Sequence, residues 1–199
     1  MNTPLVTILC RPPWAPDCKT RLAAELGRER AAGLYRRCLT GVLAAASKLG
    51  TQVRVAVAGR PLAVADICET VAPQAELVRQ RGESFADRQR HEIASGLADG
   101  HDAVALIASD LPALDERAVA WALAGAEEAG VGIVPSPDGG YSILAASRDL
   151  PELAEVPMSR GDTLEALLEA LREHGIEARV AEFAIQDLDE ARDLPGGTR

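Results

Sequence analysis

Aromatic residues are scarce: two Trp, two Tyr and two Phe make up 3% of the 199 residues. So few rings leave almost no surface on which single-stranded bases could stack, and they oblige the core to be built from Ala, Leu and Val. Surplus positive charge is lacking as well. Thirty acidic against 21 basic side chains give a net charge of −9, the wrong sign for neutralising a nucleic-acid backbone, so no nucleic-acid partner is expected. No apolar run approaches the roughly 18–20 residues that span a bilayer, and Pro4, Arg11, Pro12 and Pro13 interrupt any secretory hydrophobic region near the start. No membrane partner is expected either. Cys10, Cys18, Cys38 and Cys68 form no CxxC pair and have no His at zinc spacing, so they read as reduced thiols of a cytoplasmic protein. Several catalytic signatures are missing too. There is no GxxxxGK[ST] loop, no GxGxxG fingerprint and no GxSxG elbow, and His91-Glu92 lacks the second His of a zinc-protease helix. His101 and His174 stand beside glycines at helix ends and read as solvated.

What is present is a regular alternation of apolar runs and helical periods. With 47% hydrophobic residues, the chain can offset the entropy of ordering, and its length suits one domain over residues 1–199 with a frayed tail at 195–199. Leu5 to Leu9 reads as a buried strand, Thr20 to about Lys48 as a helix with weak points at Gly27 and Gly33, and Gln52 to Ala58 as a second strand. A short helix near Ala63 to Thr70 and an edge strand at Glu76 to Val78 follow. Ser84 and Asp87 form a capping box for a helix to Leu97. Asp102 to Ala108 is the clearest buried parallel strand, and Asp115 caps a helix to about Ala129. Val131 to Pro135 and Tyr141 to Ala145 are strands joined by a Ser-Pro-Asp-Gly-Gly turn. Asp162 and Glu165 match a further capping box for a helix to His174, Ala178 to Ala184 is strand-like, and Asp187 to Leu194 is a last short helix. This order predicts an α/β fold, a three-layer α/β/α sandwich with a mostly parallel sheet.

Ligands of open α/β sheets gather beyond the carboxyl ends of the strands, so the loops there are where chemistry is sought. After the first strand, Arg11, Lys19 and Arg21 lie on or beside a proline-stiffened loop running into a helix start, an arrangement that suits phosphate. The alternative is a solvated basic loop. Ser109-Asp110 closes the apolar strand, where a carboxylate can hold a hard divalent cation that already carries a diphosphate; the alternative is an Asp that merely opens a turn. Asp138-Gly139-Gly140 could bring backbone close to a ligand and add a second carboxylate, or could simply form a hairpin turn.

Read together, these loops resemble a small bacterial family of GT-A-type glycosyltransferases. Residues 9–22, LCRPPWAPDCKTRL, with Leu26-Gly27 and residues 31–35, AAGLY, are similar to the family's opening F-A-K-x-P-x-P-G-x-x-K-T-R-L and L-G-x-E-x-A-A-x-L-Y. Gln80 with Phe85-Ala86-Asp87-Arg88 is similar to Q-G-x-G-x-L-G-x-R, and residues 108–114, ASDLPAL, to G-S-D-C-P-x-L. Residues 135–144, PSPDGGYSIL, are similar to G-P-A-x-D-G-G-Y-Y-L-I, and Asp187-Leu188-Asp189 with Asp193-Leu194 to the closing D-x-D-T-x-x-D-L. Members of that family are associated with radical-SAM or selenodomain proteins, some with arsenosugar biosynthesis.

The resemblance implies a nucleotide-diphospho-sugar transferase fold, related to the molybdenum-cofactor and phospholactate guanylyltransferases. It implies that Arg11, Lys19, Arg21, Arg88, Ser109, Gly139 and Gly140 line a nucleotide and its phosphates. Asp110 and Asp187 would hold Mg²⁺ or Mn²⁺, and Lys19, Asp110 and Asp138 would take part in catalysis. Asp187 with Glu190 also matches a capping box, a purely structural alternative. Three departures stand out. Pro16 replaces the loop glycine, Ala108 replaces the Gly before Ser, and Met158-Ser159-Arg160 has lost the Trp and Thr of an expected W-S-T segment.

The expected activity is metal-dependent transfer of a glycosyl group from a nucleotide-sugar to a small acceptor. Nucleotidylyl transfer with release of pyrophosphate, or nucleotide binding without catalysis, are the alternatives. Charge is divided along the chain in keeping with such a site. Residues 1–90 carry 14 basic and 8 acidic side chains, net +6, and residues 91–199 carry 7 and 22, net −15.

Overall fold

The computed structural model describes residues 3–194; the tail at 195–199, expected to fray, lies outside them. Seven strands form one sheet: β1 (Leu5–Cys10), β2 (Gln52–Val57), β3 (Glu76–Arg79), β4 (Val104–Ala108), β5 (Val131–Pro135), β6 (Tyr141–Ala146) and β7 (Arg179–Val180). Their order is β3-β2-β1-β4-β6-β5-β7. β1 pairs in parallel with β2 and β4, β2 with β3, and β5 with β7, whereas β6 opposes both β4 and β5. Among the described strands β6 alone runs against the rest, so the mixed α/β fold with a mostly parallel sheet is as expected. β4 is buried as predicted, but only one of its two neighbours is parallel.

Six helices cover the sheet: α1 (Thr20–Leu26), α2 (Arg28–Ser47), α3 (Ala65–Val71), α4 (Phe85–Ala98), α5 (Glu116–Ala129) and α6 (Thr163–Glu173). Alternation along each strand sorts side chains onto two faces. Val6, Ile8, Val55 and Ile107 pack with Leu39, Leu43, Ile67 and Val119 of α2, α3 and α5. On the other face, Leu5, Val104, Leu106 and Leu144 pack with Ile93 of α4 and with Leu167 and Leu171 of α6. Each such Leu or Ile stabilises the fold by about 1.5–3 kcal/mol relative to an exposed position. A third cluster, Leu22, Ala31, Leu34, Cys38 and Leu188, fastens the C-terminal segment to α1 and α2.

Local signals account for most element ends. Ser84 and Asp87 form the predicted capping box at the start of α4, and Asp115 caps α5 by accepting from the Arg117 N–H at 2.9 Å. The long helix expected from Thr20 divides at Gly27, where φ is +83°. The Asp162–Glu165 box does not form. Arg160 holds the Asp162 carboxylate at 2.9 and 2.7 Å, and the Thr163 hydroxyl accepts from the Arg160 N–H at 3.1 Å in its place. The segment expected as a strand over 178–184 is extended and paired only at Arg179–Val180. The last helix shortens to a 3-10 turn, Ala191–Asp193. Among the described residues no helix is long and apolar enough to cross a membrane.

Candidate active site at the carboxyl edge of the sheet

β1, β2, β3 and β4 all end on one edge, where Tyr141 begins the opposed β6. A cavity of about 630 Å³ opens there, lined among others by Arg11, Lys19, Arg21, Gln80, Arg88, Ser109, Asp110, Asp138, Gly140, Tyr141, Asp187 and Asp189. The β1–α1 loop supplies its basic wall. Lys19, the residue before α1, has φ +48° and ψ +49°, a left-handed conformation unusual for a side-chain-bearing residue. Its Nζ donates to a carboxylate oxygen of Asp110 and, at 2.7 Å, to Oδ1 of Asp189. Burial works against the charge of Lys19, but the two carboxylates outweigh it and hold its ammonium above the ordinary lysine range. α1 has only seven residues, so charge on this wall comes from side chains rather than from the helix start.

The acidic wall is assembled from distant parts of the chain. Asp110 follows the end of β4. Asp187 and Asp189 flank Leu188, which is 1% exposed and sits in the α1–α2 cluster. With Leu188 turned inward, both neighbouring carboxylates face the cavity. Two backbone bonds fix the segment: the Leu188 N–H donates to the Asp110 carbonyl at 2.9 Å, and the Ile185 N–H to that of Pro135 at 3.0 Å. The Ser136 hydroxyl donates to Asp187 at 3.1 Å. One carboxylate oxygen from each of Asp110, Asp187 and Asp189 lies within 4.8 Å of the others. Burial, and then the charges of Asp110, Asp138 and Asp189, push the Asp187 carboxyl up to about 6. An all-oxygen, mutually repelling set of this kind fits a hard divalent cation such as Mg²⁺ or Mn²⁺.

The other predicted residues take distinct positions. Arg11 lines the cavity and pairs with Asp17, and Arg21, largely exposed, reaches Asp189 at 3.4 Å. Arg88 donates to the Gly82 carbonyl at 3.2 Å at the mouth. Ser109 is buried and hydrogen-bonds the Tyr35 hydroxyl at 2.8 Å, while the Arg11 N–H donates to that same hydroxyl at 3.2 Å. Asp138 accepts from the Gly140 N–H at 3.0 Å, a turn contact that leaves its other oxygen for the cavity. Gly139 has a packing reason for its identity. It sits at φ +89°, and a Cβ there would lie 1.9 Å from the Gly161 carbonyl oxygen. Asp187 is not a helix cap: the capping box at this end is Glu190 with Asp193.

Sequence reasoning missed Asp189 as a site residue, and also Gln80 and Gln89. Gln80 donates to the Cys10 and Ala56 carbonyls at 3.1 and 2.8 Å. Gln89 is buried and accepts from the Tyr141 hydroxyl at 2.7 Å. The signal for Asp189 was the i, i+2 spacing of two Asp around an apolar residue, which puts both on one side of an extended segment. Met158, where the expected Trp is missing, lies beside Gln89 and Tyr141.

This sheet order, with a carboxylate cluster beyond the central strands, is a mixed α/β architecture with its candidate site at the carboxyl edge of a mostly parallel sheet. The chain belongs to the family described as "Uncharacterized protein conserved in bacteria (DUF2064)", whose model matches residues 42–160. That span holds Arg88, Ser109, Asp110, Asp138, Gly139 and Gly140; Lys19, Asp187 and Asp189 lie outside it.

Among solved structures, a protein from Desulfovibrio desulfuricans G20, itself only provisionally assigned as a nucleotide-diphospho-sugar transferase, superposes with a TM-score of 0.86 at 23% identity, over 97% of this chain and 85% of that one. CMP:2-keto-3-deoxy-manno-octonic acid synthetase complexed with CTP gives 0.57 at 16%, over 95% and 94%. Glucosyl-3-phosphoglycerate synthase from Mycobacterium tuberculosis, in complex with Mn²⁺, UDP and glucosyl-3-phosphoglycerate, gives 0.54 at 13%, over 96% and 74%. At these identities the likeness is one of fold. No protein of curated function matches the sequence.

Proposed function

We propose that this protein is a metal-dependent transferase that binds a nucleotide-sugar and moves its glycosyl group to a small acceptor. The observation that carries this reading is the convergence of Asp110, Asp187 and Asp189 with Lys19 in one cavity at the carboxyl edge of the sheet. The three carboxylates would hold Mg²⁺ or Mn²⁺, which when bound draws charge from a departing diphosphate. Lys19, Arg11 and Arg21 would neutralise the phosphate oxygens. Arg88, Ser109 and Gly140 line the cavity that would take the nucleotide, while Gly139, which is not among the lining residues, would act only by shaping the turn. Asp138 would take the proton of an acceptor hydroxyl as its oxygen bonds to the anomeric carbon. The bond from that carbon to the diphosphate breaks, and the nucleoside diphosphate leaves with the electron pair. A place in arsenosugar biosynthesis, or an association with radical-SAM or selenodomain proteins, rests on the family resemblance alone. A cytoplasmic setting suits the four free cysteines.

A second reading, nucleotidylyl transfer, draws support from the likeness to the CTP-bound synthetase. In this reading a substrate oxygen would attack the α-phosphate of a nucleoside triphosphate, and pyrophosphate would leave. The same cations would serve it, so the product separates the two.

A thermal-shift screen of nucleoside di- and triphosphates and nucleotide-sugars, with and without Mn²⁺, tests the common ground. A ligand at 100 times its Kd adds about 2.7 kcal/mol, or roughly 5–10 °C for a chain of this size. Asp110→Ala should erase the Mn²⁺-dependent part. No shift with any nucleotide sinks both readings, and binding without either product leaves a nucleotide-binding protein that does not turn over.

A further inference from the structure

Lys19 and a divalent cation compete for the same carboxylates. The Lys19 Nζ bridges Asp110 and Asp189, two of the three residues whose carboxylate oxygens lie within 4.8 Å of one another. Those residues would hold a Mg²⁺ or Mn²⁺ ion, whose charge would be repelled by the ammonium that Asp110 and Asp189 already hold. Two cations cannot be neutralised fully by the same carboxylates. For the metal to enter, Lys19 must leave, yet its side chain is only 10% exposed. A largely desolvated ammonium stripped of both carboxylates is strongly disfavoured unless another anion receives it. A diphosphate is such an anion, and the cavity that would admit it is lined by Lys19 itself, together with Arg11 and Arg21. Lys19 carries a flexible four-carbon stem with a rotatable head, so moving from carboxylate to phosphate needs only side-chain torsions.

We infer that Lys19 is a resident counter-ion that makes cation binding at Asp110, Asp187 and Asp189 conditional on a diphosphate ligand that takes over its ammonium. The inference rests on the transferase reading for the identity of that ligand. Because one side chain is exchanged between the two sites, the coupling is reciprocal: diphosphate raises cation affinity by the same factor as cation raises diphosphate affinity. The cation alone binds weakly, and the metal site is completed only on a substrate that bears the phosphates. Lys19 thereby discriminates between diphosphate ligands and neutral sugars before any bond is broken.

The test is a titration of Mn²⁺ followed by the electron paramagnetic resonance signal of the free ion, on wild type, Lys19→Met and Lys19→Arg, first without nucleotide. Lys19→Met is expected to bind Mn²⁺ at least about tenfold more tightly than wild type, equivalent to 1.4 kcal/mol. Lys19→Arg, which keeps the charge, should bind it no more tightly than wild type. With UDP added, and chelation by UDP alone subtracted, the Mn²⁺ affinity of wild type should rise by a larger factor than that of Lys19→Met. Lys19→Met affinity equal to or below wild type, or an equal UDP effect in both, overturns the inference. Thermal melts confirm that the variants fold; if Lys19→Met does not, Lys19→Gln is measured in its place. A wild type that binds UDP while Lys19→Met leaves Mn²⁺ affinity unchanged overturns the counter-ion role and spares the transferase reading. A wild type that binds no nucleotide overturns that reading and the diphosphate half of the inference, and the Mn²⁺ titration alone still decides the counter-ion half.

Discussion

Asp187 holds its proton up to about pH 6, because burial and three neighbouring carboxylates disfavour its charge. The ordinary value is 3.8, so between about pH 4 and 6 the folded chain binds more protons here than the unfolded chain does. Stability from this group is therefore lost as pH rises through that window, and the full penalty applies above it. Asp187→Asn is expected to raise the melting temperature at pH 8 and to leave it unchanged at pH 3.5. The same variant should lose the Mn²⁺-dependent part of any nucleotide-induced shift. Paired melts at the two pH values check both, and a lower melting temperature at pH 8 would contradict the account of repulsion. Lys19, Asp110 and Asp187 were legible from their motifs. Asp189 was not singled out: its i, i+2 spacing puts it on the same side as Asp187, but does not tell whether that side faces a cavity or water.

Among the elements, α4 carries a comparable tension away from the cavity's acidic wall. Glu92 on its inner face is 2% exposed, and burial pushes its carboxyl up to about 7, with Arg54 pulling against that and Glu76 adding to it. Arg54 is itself buried and already spent on Glu76 at 2.7 Å, Ser95 at 3.1 Å and Asp99 at 2.7 Å. The sign is the same as at Asp187: stability falls as pH rises from about 4.5 to 7. Glu92→Gln should raise the melting temperature at pH 8, with the gain vanishing by pH 4; a loss at pH 8 would show that the carboxylate is needed as a partner of Arg54. The elements most faithfully read from sequence were those with local causes, such as the Ser84–Asp87 box and the Asp115 cap. The misread ones, the Asp162–Glu165 box and the strand over 178–184, depended on partners elsewhere. Arg160 diverts Asp162, and beyond Val180 the chain keeps only the isolated Ala181 and Ile185 N–H bonds to Ile133 and Pro135 of β5 before Leu188 bonds to Asp110, past the end of β4.

At the scale of the whole molecule, the basic first half and the acidic second half meet at the cavity. β1 is an interior strand of the sheet, paired on one side with β2 and on the other with β4, and Leu188 buries residues from the far end of the chain against α1 and α2. Unfolding either half strands apolar surface of the other. The chain should therefore melt in one calorimetric transition, with an enthalpy of about 140 kcal/mol near 60 °C; two resolved transitions would argue for separable units.

The sequence by itself determined where most strands and helices lie, that the sheet is mostly parallel, and which loops carry charge, because periodicity, caps and turn residues act within a few neighbours. Only the tertiary structure decided that Asp189 joins Asp110 around a lysine 170 residues away. That meeting depends on the burial of Leu188 and on one backbone hydrogen bond to Asp110, long-range contacts that no local pattern encodes.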